Sequence, residues 1–271
     1  MMQSTDTRSA LVDLIKSESE RVKEYVNSLP AEALDLPTPC PSWNVGEVIA
    51  HLDWFAETYG GMMERGLRGD LSPTKGFPAP DVLRGEEIHE LYSQAAITLR
   101  RSLGENLFSA FNDRYDWLND MLQGIGLDDW DKPCYHTRQL RTVESFIPTI
   151  FTELAVHEWD IRSALEPSRS LSPVCVPILI DRIPNKTRPW SVDFPTEPIS
   201  QEPIRYRFEL TGPGARLFDL VVEDNIAHLA PDGDAAATVP FRCDTDIFAL
   251  LMWERTSLES AKASGFLTEE R

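Results

Sequence analysis

Trp43-Asn44-Val45-Gly46-Glu47-Val48-Ile49-Ala50-His51-Leu52 is the stretch on which the fold is read. Asn44 has the short polar side chain that accepts a free amide of a first helical turn. Glu47, three residues on, completes a capping box, and Trp43 and Val48 stand where a hydrophobic staple places its two members. The pattern predicts a helix starting within one residue of Val45. Its apolar stripe, Val48, Ile49, Leu52 and Phe55, runs toward Tyr59, and Gly60 and Gly61 predict a bend or a fraying end.

Upstream, Leu11, Leu14, Ile15, Val22 and Val26 approximate helical spacing until Pro30 stops the run, and a proline-rich loop over 36–42 follows. Downstream, 66–81 reads as a long loop. Helical pattern resumes over 82–122, as one helix broken at Gly104 or as two in succession. A last long helix is predicted from a Thr142 cap to about Leu165, with Pro148 tolerated in an early turn or marking a kink. Four amphipathic segments of this length predict an antiparallel four-helix bundle.

Beyond Pro167 the pattern changes. Residues 172–182 predict a short helix and 184–203 a proline-rich loop. Ile204, Tyr206, Phe208 and Leu210 then alternate with Arg205, Arg207 and Glu209, the period of a strand with one buried face. Gly212 and Gly214 supply a turn, residues 217–222, 227–229 and 237–242 read as further strands of a meander, and Asp244 is placed to cap a final helix. The expected organisation is a helical bundle over 1–168 followed by a small α+β domain over 169–271 with a mainly antiparallel sheet.

The chain has 271 residues, with 26 basic and 44 acidic side chains and a net charge of −18. That balance argues against a nucleic-acid partner, whose phosphates must be neutralised by Lys and Arg. Apolar runs such as 248–253 fall far short of the roughly 18 to 20 residues that cross a bilayer, so no membrane association is expected. No basic stretch followed by an apolar block follows Met1, which predicts a cytoplasmic protein. Cys40, Cys134, Cys175 and Cys243 are scattered and lack the spacing of a zinc knuckle, so reduced thiols are expected.

The chemistry concentrates on two helices. Glu153, His157 and Asp160 fall within about 60° of one helical face. Ile150, Leu154 and Val156 beside them turn part of this stripe inward, where a carboxylate needs a partner, and a divalent metal would be one. His51 lies two turns into its helix among Ile49, Ala50 and Leu52. Two imidazoles and a carboxylate leave an open fourth position in a tetrahedral zinc site, and Asp160 suits the role of orienting an imidazole. The same residues also admit a buried ion pair or a solvated face. Trp43 reads as the staple, Cys40 as a weak candidate thiol, and His89, His136 and His228 have no partner at ligand spacing. The Gly212-Pro213-Gly214 turn lacks the helix of a phosphate loop.

Two segments, Thr38-Pro39-Cys40-Pro41-Ser42-Trp43-Asn44-Val45-Gly46-Glu47-Val48-Ile49-Ala50-His51-Leu52 and Glu153-Leu154-Ala155-Val156-His157-Glu158-Trp159-Asp160-Ile161, resemble the two signatures of the mycothiol-dependent maleylpyruvate isomerase family. The amino-terminal domain of that family is a DinB-like metal-binding bundle, and the α+β tail resembles its carboxyl-terminal domain. The resemblance implies zinc held by His51, Glu153 and His157. It also implies an active-site Arg from a Gly-Arg pair, here Arg255, with Glu254 in place of the Gly. Arg255 would hold a substrate carboxylate, its alternative being a salt bridge.

Mycothiol is the implied thiol cosubstrate, and binding to zinc favours a thiolate over the thiol. The expected function is S-transfer or conjugation of that thiol to a small electrophile. One alternative is a cis-trans isomerase of the maleylpyruvate type; the other is a non-catalytic small-molecule binding module with a structural metal. A monomer or homodimer is expected.

Overall fold

The computed structural model describes residues 3–40, 43–80, 82, 86–166, 170–183, 202–223, 226–230 and 236–269. The chain divides into two compact units, Met1–Arg169 and Ser170–Arg271. None of its described helices is long and apolar enough to cross a membrane.

The first unit holds helices α1 (Gln3–Ser28), α2 (Val45–Leu67), α3 (Glu86–Leu103), α4 (Leu107–Gln123) and α5 (Val143–Ser163). Contacts run from α1 to α4, α4 to α2, α2 to α5 and α5 back to α1, a closed ring of four, while α3 packs mainly against α2. Each ring helix turns an apolar stripe inward, including Ile15 and Val22 on α1, Ile49 and Leu52 on α2, Phe111 and Leu118 on α4, and Phe146 and Leu154 on α5, all buried.

α2 begins at Val45 as its cap dictates. The Asn44 side chain accepts from the Glu47 amide at 2.9 Å and the Asn44 amide donates to the Glu47 carboxylate at 2.9 Å. The expected break at Gly60 and Gly61 does not occur, and the helix runs on to Leu67. A Cβ on Gly60 would stand 2.6 Å from the Trp117 ring of α4, so this glycine lets two helices approach instead of ending one. Residues 82–122 form two helices, with Gly104 at φ +53° between them.

A two-stranded ribbon, β1 (Pro133–Cys134) with β2 (Arg141–Thr142), leads into α5. Thr142 occupies the cap position, but its side chain makes no capping bond. Pro148 lies inside α5 without ending it. On one side of α5, the buried Glu158 accepts from Arg21 of α1 at 2.6 Å and from Arg162. Arg21 also reaches Glu18 at 2.6 Å, and the Arg162 guanidinium lies 3.8 Å from the centre of the Tyr25 ring.

The second unit contains α6 (Val176–Arg182), strands β3 (Ile204–Thr211), β4 (Arg216–Glu223), β5 (Ile226–Ala230) and β6 (Val239–Asp244), helices α7 (Thr245–Met252) and α8 (Leu258–Ala263), and β7 (Leu267–Glu269). Most of the expected proline-rich loop, 184–201, lies outside the described residues. The sheet order is β5-β4-β3-β6-β7, antiparallel except between β3 and β6. The expected meander therefore ends at β5, and β6 crosses to the far side of β3. Alternation in sequence fixes which face a strand buries and leaves its neighbour open.

Phe208 pairs with Phe218 and Phe241 across the sheet, and Phe248 of α7 lies 4.9 Å from the Phe208 ring. The opposite face carries Arg205 and Arg207, both bonded to the buried Asp219. Asp244 precedes α7 without capping it, because its carboxylate accepts from Thr211 at 2.7 Å. α7 ends in a Schellman motif. The Arg255 amide bonds Leu250 O at 2.8 Å, the Glu254 amide bonds Leu251 O at 3.0 Å, and Glu254 takes the left-handed φ of 59°. Position 254 thus has the backbone that favours the glycine of the resembled Gly-Arg pair, with a glutamate adopting it.

Candidate metal centre

α2 and α5 are neighbours in the ring, and each delivers its ligands from a fixed distance along its own axis. The capping box sets where α2 starts and hence where His51 points, seven residues inside the helix counting from Val45. On α5, Glu153 and His157 are one turn apart and Asp160 is almost a turn further. The ligand atoms of His51, Glu153 and His157 all lie within 4.8 Å of one another.

One Glu153 oxygen is 3.2 Å from His51 Nε2 and 3.3 Å from His157 Nε2. His157 Nδ1 lies 2.8 Å from the carboxylate of the fully buried Asp160. The carboxylate accepts, so His157 carries a proton on Nδ1 and donates it to Asp160, which turns Nε2 toward Glu153. Both imidazoles are buried, and Glu153 is half-buried.

The electrostatics of the three groups differ. Burial pushes His51 down, helped by the like charge of His157 and opposed by Glu153. Burial also works against a charged His157, but the bonds to Asp160 and Glu153 outweigh it and carry the ring up to about 9. Burial alone would raise Glu153, yet the bonds from His157 and His51 hold its carboxyl well below the usual carboxylate range.

These residues fit a zinc-like ion. A tetrahedral ion with arms of about 2.0 to 2.1 Å spaces its ligands about 3.3 Å apart, close to both nitrogen-to-carboxylate distances. Two neutral nitrogens and one carboxylate oxygen are a donor set that suits zinc.

Trp43 does more than a staple requires. Its ring centre is 4.5 Å from that of His51 and 5.7 Å from that of His157, so it covers both imidazoles. The indole Nε1 and His51 Nδ1 are both buried without a hydrogen-bond partner among the described atoms. Cys40 is half-buried in the loop before α2, where its amide donates to Thr38 Oγ1 at 3.2 Å. Burial pushes the Cys134 thiol up to about 11 and the Cys243 thiol up to about 12, so neither supplies a thiolate near neutral pH. Arg255 belongs to the second unit, where its guanidinium donates to Trp253 O at 2.8 Å.

A further polar group lies in the first unit and was not evident from spacing. Tyr59 follows His51 by two turns on α2, and its hydroxyl is 3.3 Å from Nε2 of the buried His136. His136 Nδ1 accepts from the Arg138 amide at 3.2 Å, so the neutral ring carries its proton on Nε2. Burial, reinforced by Arg141 and Arg138, pushes His136 down to about 4. The helical repeat places Tyr59 beneath His51, whereas His136 comes from irregular chain and Arg141 from a two-residue strand, neither with a period to read. The side chains of His89 and His228 lie outside the described residues.

A family model described as the mycothiol maleylpyruvate isomerase N-terminal domain matches residues 15–162. Two solved structures share the fold across nearly the whole chain. A mycothiol-dependent maleylpyruvate isomerase is 13% identical with a TM-score of 0.62, covering 98% of this chain and 92% of that one. A histidine-to-alanine mutant of a mycothiol-dependent maleylpyruvate isomerase is 15% identical with a TM-score of 0.60, with the same coverage. No curated protein gives a significant sequence match.

Proposed function

Because the chain belongs to the mycothiol maleylpyruvate isomerase N-terminal domain family, we propose that it is a zinc-dependent enzyme that uses mycothiol for S-transfer or conjugation to a small electrophile. The single observation that carries this reading is the meeting of His51, Glu153 and His157 at the spacing of a tetrahedral site. Zinc bound there would supply a Lewis acid that favours thiolate over thiol at neutral pH.

The protein's own residues have distinct parts in this proposal. His51 and His157 offer nitrogens from two helices, and Glu153 offers the oxygen both nitrogens face. Asp160 fixes the tautomer and orientation of His157. Trp43 keeps bulk water off the imidazoles. Arg255, from the second unit, is proposed to hold an anionic group of a substrate.

In a conjugation the sulfur bonds to the electrophilic carbon and keeps that bond. Either a carbon-carbon π bond opens and the neighbouring carbon takes the thiol proton, or a bond to a leaving group breaks and that group departs with its electron pair while the proton passes to solvent. In the second reading, cis-trans isomerisation of the maleylpyruvate type, the sulfur adds to a carbon-carbon double bond and is expelled after rotation, so the thiol is regenerated. Family membership favours this second reading.

Metal analysis of the purified protein together with its His51→Ala variant tests the site. About one zinc per chain, lost in the variant along with mycothiol-dependent consumption of an electrophile, is the expected result. Retained thiol-dependent turnover in a metal-free variant would sink it. Maleylpyruvate converted with no sulfur adduct selects isomerisation over transfer.

A further inference from the structure

We propose that Arg141 is a further specificity residue, one that anchors a carboxylate of the electrophilic substrate from within the helical unit. The inference rests on the thiol-enzyme reading above and adds a specificity residue from the helical unit itself.

Arg141 is half-buried, and among the described residues no carboxylate pairs with it, although the chain has 44 acidic side chains against 26 basic ones. Its bonds go to neutral acceptors. Nε donates to Ser145 Oγ at 3.2 Å, and Nη2 donates to Ser145 O at 2.5 Å and to Thr149 Oγ1 at 3.5 Å. The Phe146 ring lies 5.1 Å from the guanidinium. These contacts fix the fork and leave Nη1 without a bond among the described atoms. A guanidinium stays charged at any ordinary pH, and this half-buried one, with only neutral partners, has no counter-ion among the described residues.

The location ties this charge to the metal ligands. Ser145, Thr149 and Glu153 succeed one another at four-residue steps on α5, so Thr149 is about 6 Å along the axis from Glu153. The Tyr59 hydroxyl senses both ends. Burial and the neighbouring Tyr92 raise its pKa, Glu153 raises it further, and Arg141 opposes them. His136 Nε2 donates to the Tyr59 hydroxyl, which leaves that hydroxyl its own proton to donate. Tyr92, 3.5 Å from Thr137, adds a second hydroxyl. An electrophile whose carboxylate engages Arg141 and Tyr59 would extend its reactive carbon about one helical turn toward the His51–Glu153–His157 cluster.

Calorimetric titration of the purified protein with glutarate and with glutaramide, which differ in charge and hardly in length, tests the proposal without any turnover. Glutarate is expected to bind at least about ten-fold more tightly than glutaramide, and Arg141→Gln to abolish that preference. Arg141→Lys keeps the charge without the fork and is expected to fall between. Thr149→Val, which frees the guanidinium, is expected to weaken glutarate about two- to five-fold and serves where Arg141→Gln does not fold.

Unchanged glutarate affinity in Arg141→Gln, no glutarate binding by the parent protein, or a preference lost in His51→Ala but kept in Arg141→Gln would each overturn the assignment. If mycothiol-dependent turnover is never found but the glutarate preference follows Arg141, the thiol-enzyme reading falls and the anion anchor stands.

Discussion

α5 carries two acidic side chains five residues apart, Glu153 and Glu158, whose surroundings differ in kind. Glu158 is met by the guanidiniums of Arg21 and Arg162, while Glu153 is met by the imidazoles of His51 and His157. A guanidinium keeps its proton, so Glu158 is neutralised permanently and its cluster ties α1 to α5. An imidazole has a lone pair once neutral, so the Glu153 cluster can exchange protons for a cation. The same helix thus bears a brace on one side and a candidate reactive site on the other, and the choice of base separates them.

The comparison breaks most visibly at Glu158. Glu158→Ala leaves two arginines without their shared acid, and a stability loss of about 3 to 5 kcal/mol is expected in chemical denaturation, with zinc content per folded chain unchanged. Loss of metal from the folded variant would mean that the two clusters are one unit.

A second measurement uses pH. His157, bonded to Asp160 and Glu153, is raised to about 9, whereas His136, buried beside Arg141 and Arg138, is lowered to about 4. His136 is therefore neutral in the folded chain, and as pH falls the unfolded chain takes up the proton first, near the ordinary histidine value of 6.5. Stability is expected to fall between pH 6.5 and 4 by about 3 kcal/mol from this group, and to change no further from it below that. Denaturation curves of the parent and His136→Gln, measured at pH 7 and pH 4, should differ in their pH dependence by that amount. Parallel curves would refute the assignment.

The smallest effect is expected at Asp160. Asp160→Asn keeps the shape but weakens the hold on His157 Nδ1, and metal affinity by competition with a chromophoric chelator is expected to drop about 10- to 100-fold. An affinity equal to that of the parent would show that Asp160 plays no part in orienting the ring.

Much of this was legible because it is local. The α2 start follows from Asn44 and Glu47, and the shared face of Glu153, His157 and Asp160 follows from helical spacing, so two short stretches suffice to aim three ligands. What the sequence hid depends on partners distant along the chain. Gly60 looks like a helix breaker until Trp117 is seen against it, and the parallel pairing of β3 with β6 leaves no mark on the alternation of either strand. Asp244 has the right side chain for a cap and spends it on Thr211. His136 and Arg141 sit outside any periodic segment, so only folding reveals what they face.

The placement of α3 has a consequence for motion. Each helix of the ring is gripped from two sides, whereas α3 rests mainly on α2. Its detachment breaks one main helix interface where a ring helix would break two, so its amide protons should trade for deuterium ahead of the others while the ring stays shut. Trp54, whose ring is 4.9 Å from Tyr92 of α3 and 6.4 Å from His51, would gain solvent in that open form. Its fluorescence then offers an optical record of breathing next to the cluster.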